Sequence, residues 1–539
     1  MLSIACHSDI FPSGEDPEKC VITSLTNDSA LLDGLVDVVY NEVMNPLYYD
    51  ACKTDERTDN LYNSWNMAVF DSGYTGDWDQ AAKVKLCNRM IGIIDTTSSV
   101  SEACRTRWKA ELSFLKSLVY YALVQRYGGF IIDAAGPVDH FLYPSGKRAT
   151  VAASYRYVIG TLQHCLSLLS DNRNFLRPNK IAAQAMILRV SLQAAAYVPG
   201  ERAEYLALAL QAGKAVLEYT DYVLDPDYNG LFNDFGRSRS SKEVILGVYR
   251  PRAYTSFQQT LMQDLVVNQS NSKMKPGYGP PLNDVLDGWS KRYPTQNLVD
   301  AYLVMDADGS AKKWNETRYY KSFRAGQDYV SNVLYAKRDK RFYASIVYDS
   351  SKYFNSIAFT RDSGNLGTYA RNDKNALTPT GYYVRKLLYE TQRVWYVDGT
   401  DHFFPALRLG EVYLNMAEAL LYTGDRSGAI SFLNKTRTIH GGLPPLDGAT
   451  PLPALLDAYK DERRVELFFE NDRYWSLLRW AKFNQQATIT ELEKPVDAIN
   501  ISADGKNFKI IAAPNVGDRK GRLSSTQFFV PLPEASMPK

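Results

Sequence analysis

The strongest constraint on the fold of this chain is an alanine-bearing helical hairpin in its C-terminal third. Leu409, Val412, Tyr413, Met416, Ala419 and Leu420 recur at steps of three and four, which puts one apolar stripe along a helix. Thr423-Gly424-Asp425 predicts where that helix stops, because Gly adopts the left-handed cap conformation without a Cβ clash. Ala429, Ile430, Leu433 and Asn434 predict a returning helix, and the small Ala417, Ala419 and Ala429 side chains let the two approach closely. This is the pattern of a tetratricopeptide hairpin.

Looser versions lie upstream. The Ala-rich stretch 181–197 turns at Pro199-Gly200-Glu201 into a second periodic stretch over 205–217, and 78–94 with 108–127 form another pair, the latter ending at Gly128-Gly129. Such units bury their apolar faces only by stacking on one another. Their irregular spacing predicts a mainly α fold: a tetratricopeptide-like helical-hairpin scaffold with a loop-rich region and a few short β-strands. We expect one domain over 26–539, with the scaffold at about 28–260 and 405–483 and a loop-rich ligand-binding insertion at about 260–400.

The insertion differs in texture. It carries Lys275-Pro276-Gly277-Tyr278-Gly279-Pro280-Pro281, then Trp289 and Tyr293, and further on a Tyr-, Asn-, Gly- and Thr-rich stretch with short β-like runs such as 343–348. Loops this long inside a compact body tend to be functional. Composition suggests in what way: 37 Tyr, 22 Phe and 8 Trp bring aromatics to 12%. Tyr joins an apolar ring to a polar tip and suits wet surfaces that bind sugars or peptides. Trp65, Tyr74, Trp78, Tyr278, Trp289, Tyr293 and Trp314 lie in or beside polar, Gly-rich or Pro-rich segments, which makes them the candidate ligand-binding residues. Packing beneath a loop is the competing reading for each, and strongest for Trp78, which opens a helix.

The charges, 62 Lys and Arg against 60 Asp and Glu, nearly cancel, so no global field draws nucleic acid. No apolar run approaches the roughly 20 residues that span a bilayer. Leu2-Ser3-Ile4-Ala5-Cys6, followed by His7-Ser8-Asp9, reads as the tail of a bacterial lipoprotein signal with Cys6 as the acylated residue, and residues 1–25 as truncated signal and tether. Cys20, Cys52, Cys87, Cys104 and Cys165 form no CxxC pair, which removes zinc and thioredoxin-like readings. Their odd number implies no complete disulfide framework, although Cys87 and Cys104 are candidates for one bridge.

No constellation demands catalysis. Glu462, Glu466 and Glu470 lie at i, i+4 and i+8 on one helix face, but they lack the facing carboxylate of a glycosidase and the Glu-x-x-His of a di-iron site. The interleaved Arg463, Arg464 and Arg473 suit a structural ion-pair network instead. The five histidines are scattered without HExxH, and Asp306-Ala307-Asp308-Gly309 reads as a tight turn because Thr317 stands where a calcium loop needs an acid. No P-loop, GxSxG or GxGxxG motif is present, and neither a metal nor a cofactor is called for.

Several stretches, in order, resemble the SusD/RagB family. Residues 108–129 are similar to its early helix, 180–197 to its Ala-rich helix, 242–245 to its "EVIF" strand, and 294–302 to its "PTQELVDAF" element. Residues 338–342 resemble "RDPRF" with Lys340 in place of Pro, while 407–419 and 462–467 resemble "RLAEVYLNYAEA" and "ERRVEL". Asn471-Asp472 and Trp475-Ser476 depart from the family's usual residues. The resemblance implies a lipid-anchored protein of the outer membrane, facing the cell surface, that forms a lid over a SusC-like TonB-dependent transporter. It implies an oligosaccharide ligand on an aromatic platform, or a peptide in some relatives, and no catalytic residues. A helical glycoside hydrolase and an intracellular tetratricopeptide scaffold are the readings from other classes.

Overall fold

The computed structural model describes residues 29–49, 54, 57–58, 81–97, 100–129, 149–269, 274–279, 281–371, 377–486, 489–493, 495–513 and 528–529. The scaffold begins with helices α1 (Ser29–Tyr49), α2 (Ala81–Thr96), α3 (Glu102–Tyr127), α4 (Val151–Leu166), α5 (Lys180–Tyr197) and α6 (Arg202–Leu217). Local chemistry sets their ends. Ser101, Thr150 and Asn179 cap α3, α4 and α5 by accepting from backbone N–H groups three residues on. Gly128 closes α3 at φ 79, where a side chain would be strained.

Helix α5 is the centre of the stack: it packs against α4, α6 and the helices Leu409–Thr423 and Arg473–Phe483. Its alanines explain how it is surrounded, since Ala182, Ala183, Ala185, Ala194, Ala195 and Ala196 are all buried and keep the neighbours near. Helix α6 approaches Leu409–Thr423 through Gly213, where a Cβ would stand 2.1 Å from the Met416 sulfur. That helix stops at Gly424, φ 88, and Asp425 then caps Arg426–Ile439, as the hairpin pattern predicts. Leu452–Glu466 and Arg473–Phe483 complete this end. Among the described residues no single helix is long and apolar enough to cross a membrane.

The expected Cys87–Cys104 bridge is absent, and both are free thiols. Geometry explains it. Arg105 reaches the Ile94 carbonyl at 3.3 Å, so the start of α3 is level with Ile94, and Cys87 lies about 10 Å further along α2. A disulfide needs Cα atoms within about 7 Å. The β-like reading of 343–348 also changes. Asp339 caps a helical turn over Lys340–Ser345, and only Ile346–Val347 is strand, paired with Tyr383–Val384.

The described strands pair two by two. The longest pair, Val244–Arg250 with His402–Arg408, runs antiparallel from Val244 against Arg408 to Arg250 against His402. These strands flank the insertion, so their ladder closes its neck. The bridge Ser256–Gly399 continues the closure beyond the ladder.

Candidate functional site

At the open end of that ladder three loop segments converge. The Phe257 amide donates to the Asp398 carbonyl at 2.8 Å and the Thr400 amide to the Thr255 carbonyl at 2.9 Å. The third segment, 286–291, is zipped onto 263–268: the amides of Gly288, Trp289, Ser290 and Lys291 donate to the carbonyls of Val267, Gln263, Val266 and Asp264. It is tied to the first two where the Asp287 amide meets the Val394 carbonyl at 3.3 Å and the Tyr396 amide meets the Asp287 carboxylate at 3.1 Å.

The result is a ridge of exposed apolar side chains, Tyr254, Val285, Trp289, Trp395, Tyr396 and Val397, with Tyr254 86% and Trp289 47% exposed. Isolated exposed apolar residues are ordinary, but several on segments tied together by these hydrogen bonds make a candidate binding surface. Beside it opens a polar pocket of about 430 Å³ lined by Arg252, Gln392, Arg393, Asp398, Gly399 and Asp401. Its groups are pre-positioned. Arg393 pairs with Asp398 at 3.2 Å, while Asp401 accepts from the Tyr249 hydroxyl at 3.0 Å and the Arg252 amide at 2.9 Å. Flat rings beside fixed donors and acceptors are suited to a pyranose, whose CH face stacks and whose hydroxyls need partners of both kinds.

Two sequence candidates belong to this region. Trp289 stands on the ridge. Tyr278, half-buried, sits in a neighbouring segment where the Lys275 amide donates to the Ala370 carbonyl at 2.9 Å and exposed Tyr369 lies close in sequence to that contact. Tyr293 and Trp314 are corrections. Tyr293 is fully buried in a strand paired with Arg57–Thr58, its ring edge-on to Tyr383 at 5.6 Å. Trp314 is 8% exposed, donates to Asp300 at 2.6 Å and packs edge-on against Tyr320 and Phe508. Both rings are packed under the loops their sequences suggested they would crown. Cys6, Trp65, Tyr74 and Trp78 lie outside the described residues.

Sequence reasoning missed Trp395, Tyr396 and the pocket residues. The signal was present: Trp395-Tyr396 precedes Asp398-Gly399, the same coupling of aromatic and turn residues that singled out Tyr278. Gly288 is the packing requirement beneath the ridge. A Cβ there would lie 1.9 Å from the Val266 carbonyl oxygen, which is backbone and cannot swing aside. Gly288→Ala is therefore expected to force the 286–291 segment off its seat and lower the melting temperature by several degrees. A scan matching wild type would overturn this.

The acidic residues are used elsewhere, and they do not share one helix face: the helix ends at Glu466, and Glu470 lies in the turn beyond it, where Phe469 and Asn471 take positive φ. Glu466, fully buried, accepts from Arg408 at 2.6 Å and Arg341 at 2.8 Å and meets His440 Nδ1 at 2.8 Å. Arg408 also bonds Glu243 at 2.8 Å and Glu470 at 2.7 Å, and His440 Nε2 meets Glu243 at 3.1 Å. Arg341 binds Asp339 and Glu462; Lys386 reaches Glu470 at 2.6 Å; Arg463 binds Asp472 at 2.6 Å. Arg473 lies over the Trp480 ring at 5.9 Å, and Arg464 is only half-buried at the margin. Burial opposes ionisation of Glu466, but His440 and Arg408 overcome it and hold its carboxyl well below the usual range. Such a group cannot serve as a general acid. Glu243, His440 and Glu466 could together offer ligand atoms to a metal. Here the Arg408 guanidinium and the His440 ring already supply the cationic partners. In the Asp306–Asp308 turn the Lys312 ammonium likewise bonds both carboxylates, at 2.7 and 2.6 Å.

Comparison with known proteins places this architecture. A model of the SusD family matches residues 243–539, and one described as starch-binding associating with outer membrane matches 27–192. A SusD-like protein of Bacteroides ovatus is 24% identical over 473 residues, covering 84% of this chain and 76% of the relative. A SusD-like carbohydrate binding protein from Bacteroides fragilis NCTC 9343 has the same fold, with TM-score 0.72 and 17% identity over 95% of this chain and 98% of its own. A laminarin binding SusD-like protein is similar at TM-score 0.58 and 19% identity, over 85% of this chain and 92% of its own.

Proposed function

The chain belongs to the SusD family, and on that premise we propose that it is a non-catalytic glycan-capture protein whose binding site is the aromatic ridge and polar pocket at the neck of the insertion. The observation that carries this is the juxtaposition of exposed Trp289, Trp395 and Tyr396 with a pocket of paired Arg, Asp and Gln groups. The carbohydrate-binding relatives support it. Absence of catalysis is supported by the ion pairs that consume Glu462, Glu466 and Glu470. We further propose attachment to the outer membrane through a lipid on Cys6, with the surface-facing protein handing its oligosaccharide to a SusC-like TonB-dependent transporter. The lipoprotein-like residues around Cys6 and the outer-membrane description of the second family model support that reading.

Isothermal titration against oligosaccharide and peptide pools tests the claim. Stacking on an exposed ring in a wet groove gives modest affinity, because lost sugar freedom offsets much of the contact. Trp395→Ala and Trp289→Ala are each expected to weaken binding by about 1–3 kcal/mol, roughly 5- to 150-fold. Unchanged affinity in both variants would move the site elsewhere. Exclusive peptide binding would replace the glycan with a peptide, and turnover of a bound glycan would make the protein a hydrolase.

A further inference from the structure

Three aromatic rings of the proposed surface, Trp289, Trp395 and Tyr278, carry a cation. The Lys291 ammonium lies 3.7 Å from the Trp289 ring centroid, the Arg393 guanidinium 5.8 Å from that of Trp395, and the Lys275 ammonium 5.8 Å from that of Tyr278. Lys291, at 3.7 Å, covers one face of the Trp289 ring. A neutral sugar can take that face only by pushing the ammonium off, and loses the cation–π attraction in doing so. A sugar bearing a carboxylate or sulfate draws the ammonium to itself and uncovers the ring in the same movement.

The acids nearby are already engaged. Asp287 accepts from the Tyr396 amide, Asp284 is held by Asn355, Asp401 by Tyr249 and the Arg252 amide, and Asp398 by Arg393. Asp264 is shared between Lys291 at 3.4 Å and Arg292 at 3.3 Å. Arg252 and Lys275, by contrast, form no ion pair among the described residues; the Arg252 guanidinium, on the pocket wall, meets only the Gly399 carbonyl, at 3.5 Å. The carboxylates keep their charge, so the region sums close to zero, but their oxygens are occupied by neutral donors or by a cation, while Arg252 and Lys275 have no acidic partner among the described residues.

We propose that the site selects acidic saccharides, with Lys291 exchanging the Trp289 ring for a carboxylate or sulfate of the ligand and Arg252 receiving a second anionic group in the pocket. This rests on the glycan-capture reading and narrows its substrate class. The test is titration of the full chain at low and at physiological salt with an oligogalacturonide, a sulfated chondroitin oligosaccharide and a neutral gluco-oligosaccharide of matched length. The acidic ligands are expected to bind at least tenfold more tightly than the neutral one at low salt, and to lose much of that margin as salt rises. Lys291→Ala is expected to weaken acidic binding about tenfold and, by baring the ring, to tighten neutral binding about 2- to 5-fold. Arg252→Gln should weaken the acidic ligands more than the neutral one and so narrow the margin between them. Carboxylated against sulfated probes identify which anion is taken. If the neutral glycan binds as tightly as the acidic ones, or Lys291→Ala leaves the preference intact, the inference fails and glycan capture stands. If no saccharide binds while an acidic peptide does, both fail.

Discussion

Arg408→Met is expected to destabilise the protein by about 3–5 kcal/mol, read as a large fall in the denaturant midpoint. Arg408 is 1% exposed and is the shared donor to Glu243, Glu466 and Glu470, so its removal leaves three buried carboxylates with only His440, Arg341 and Lys386 to balance them. The methionine fills similar space, so little of the loss comes from packing. The double variant Arg408→Met, Glu466→Gln should recover part of it, because one stranded charge goes with its partner. An exposed pair behaves differently: Lys109 and Asp95 are 2.7 Å apart but 41% and 48% exposed, and Lys109→Ala should barely move the midpoint. A loss below about 1 kcal/mol for Arg408→Met would mean that the buried charges rehydrate or neutralise, and that the network is not a structural unit.

The second large effect is a fall in stability between pH 6.5 and 8. His440 is fully buried, which disfavours its charge, yet Glu466 and Glu243 on either side of the ring push its pKa up to about 10 from 6.5. A raised folded-state pKa gives stability that is complete below the unfolded value and drains away as pH rises toward the folded one. The slope is at most about 1.4 kcal/mol per pH unit. From pH 8 a second group opposes it. Burial lowers Lys386 to about 8 from 10.5, so its desolvation penalty is relieved above pH 8, and the curve should flatten between 8 and 9. The series stops at pH 9, since burial pushes the Cys87 and Cys165 thiols up to about 12, and above 9 their ionisation favours the unfolded chain. At the acid end Glu243, Glu411, Glu418, Glu466 and Asp472 are all held below their ordinary values, so stability is also lost as pH falls below about 4.5. Burial lowers His402 to about 4 from 6.5, so its contribution rises with pH up to about 6.5, and maximal stability is expected near pH 6.5. Unfolding free energies that stay level or rise from pH 6.5 to 8 would exclude a charged His440. His440→Gln should remove the alkaline slope while lowering stability at pH 6.

These effects rest on contacts that span the chain. Arg408 and Glu243 are 165 residues apart, Arg341 and Glu466 are 125 apart, and His440 and Glu243 are 197 apart. Spacing on one helix could identify Glu462, Arg463 and Glu466 as members of a network, because i, i+4 neighbours are local; Glu470 joins them from the turn beyond the helix. It could not supply Arg341, Arg408 or His440, which arrive from other elements. The proposed binding surface divides the same way. Proline, glycine and aromatic residues side by side made the insertion a candidate, but whether a ring crowns a loop or packs beneath it depends on what lies opposite. Trp289 stands out because Gly288 lets its segment sit tightly on Val266, whereas Trp314 turns inward to Asp300 and Phe508.

The hairpins, their glycine stops and caps, and the Ala faces that let α5 be surrounded were determined by residues three and four apart. Helical order is local, and a single stretch of chain carries its own pattern. Which cations meet which buried carboxylates, and which aromatic rings share a surface with Arg252 and Asp398, was decided only when the strands Val244–Arg250 and His402–Arg408 closed the neck of the insertion. Those partners are brought together by tertiary packing, and no interval along the chain encodes them.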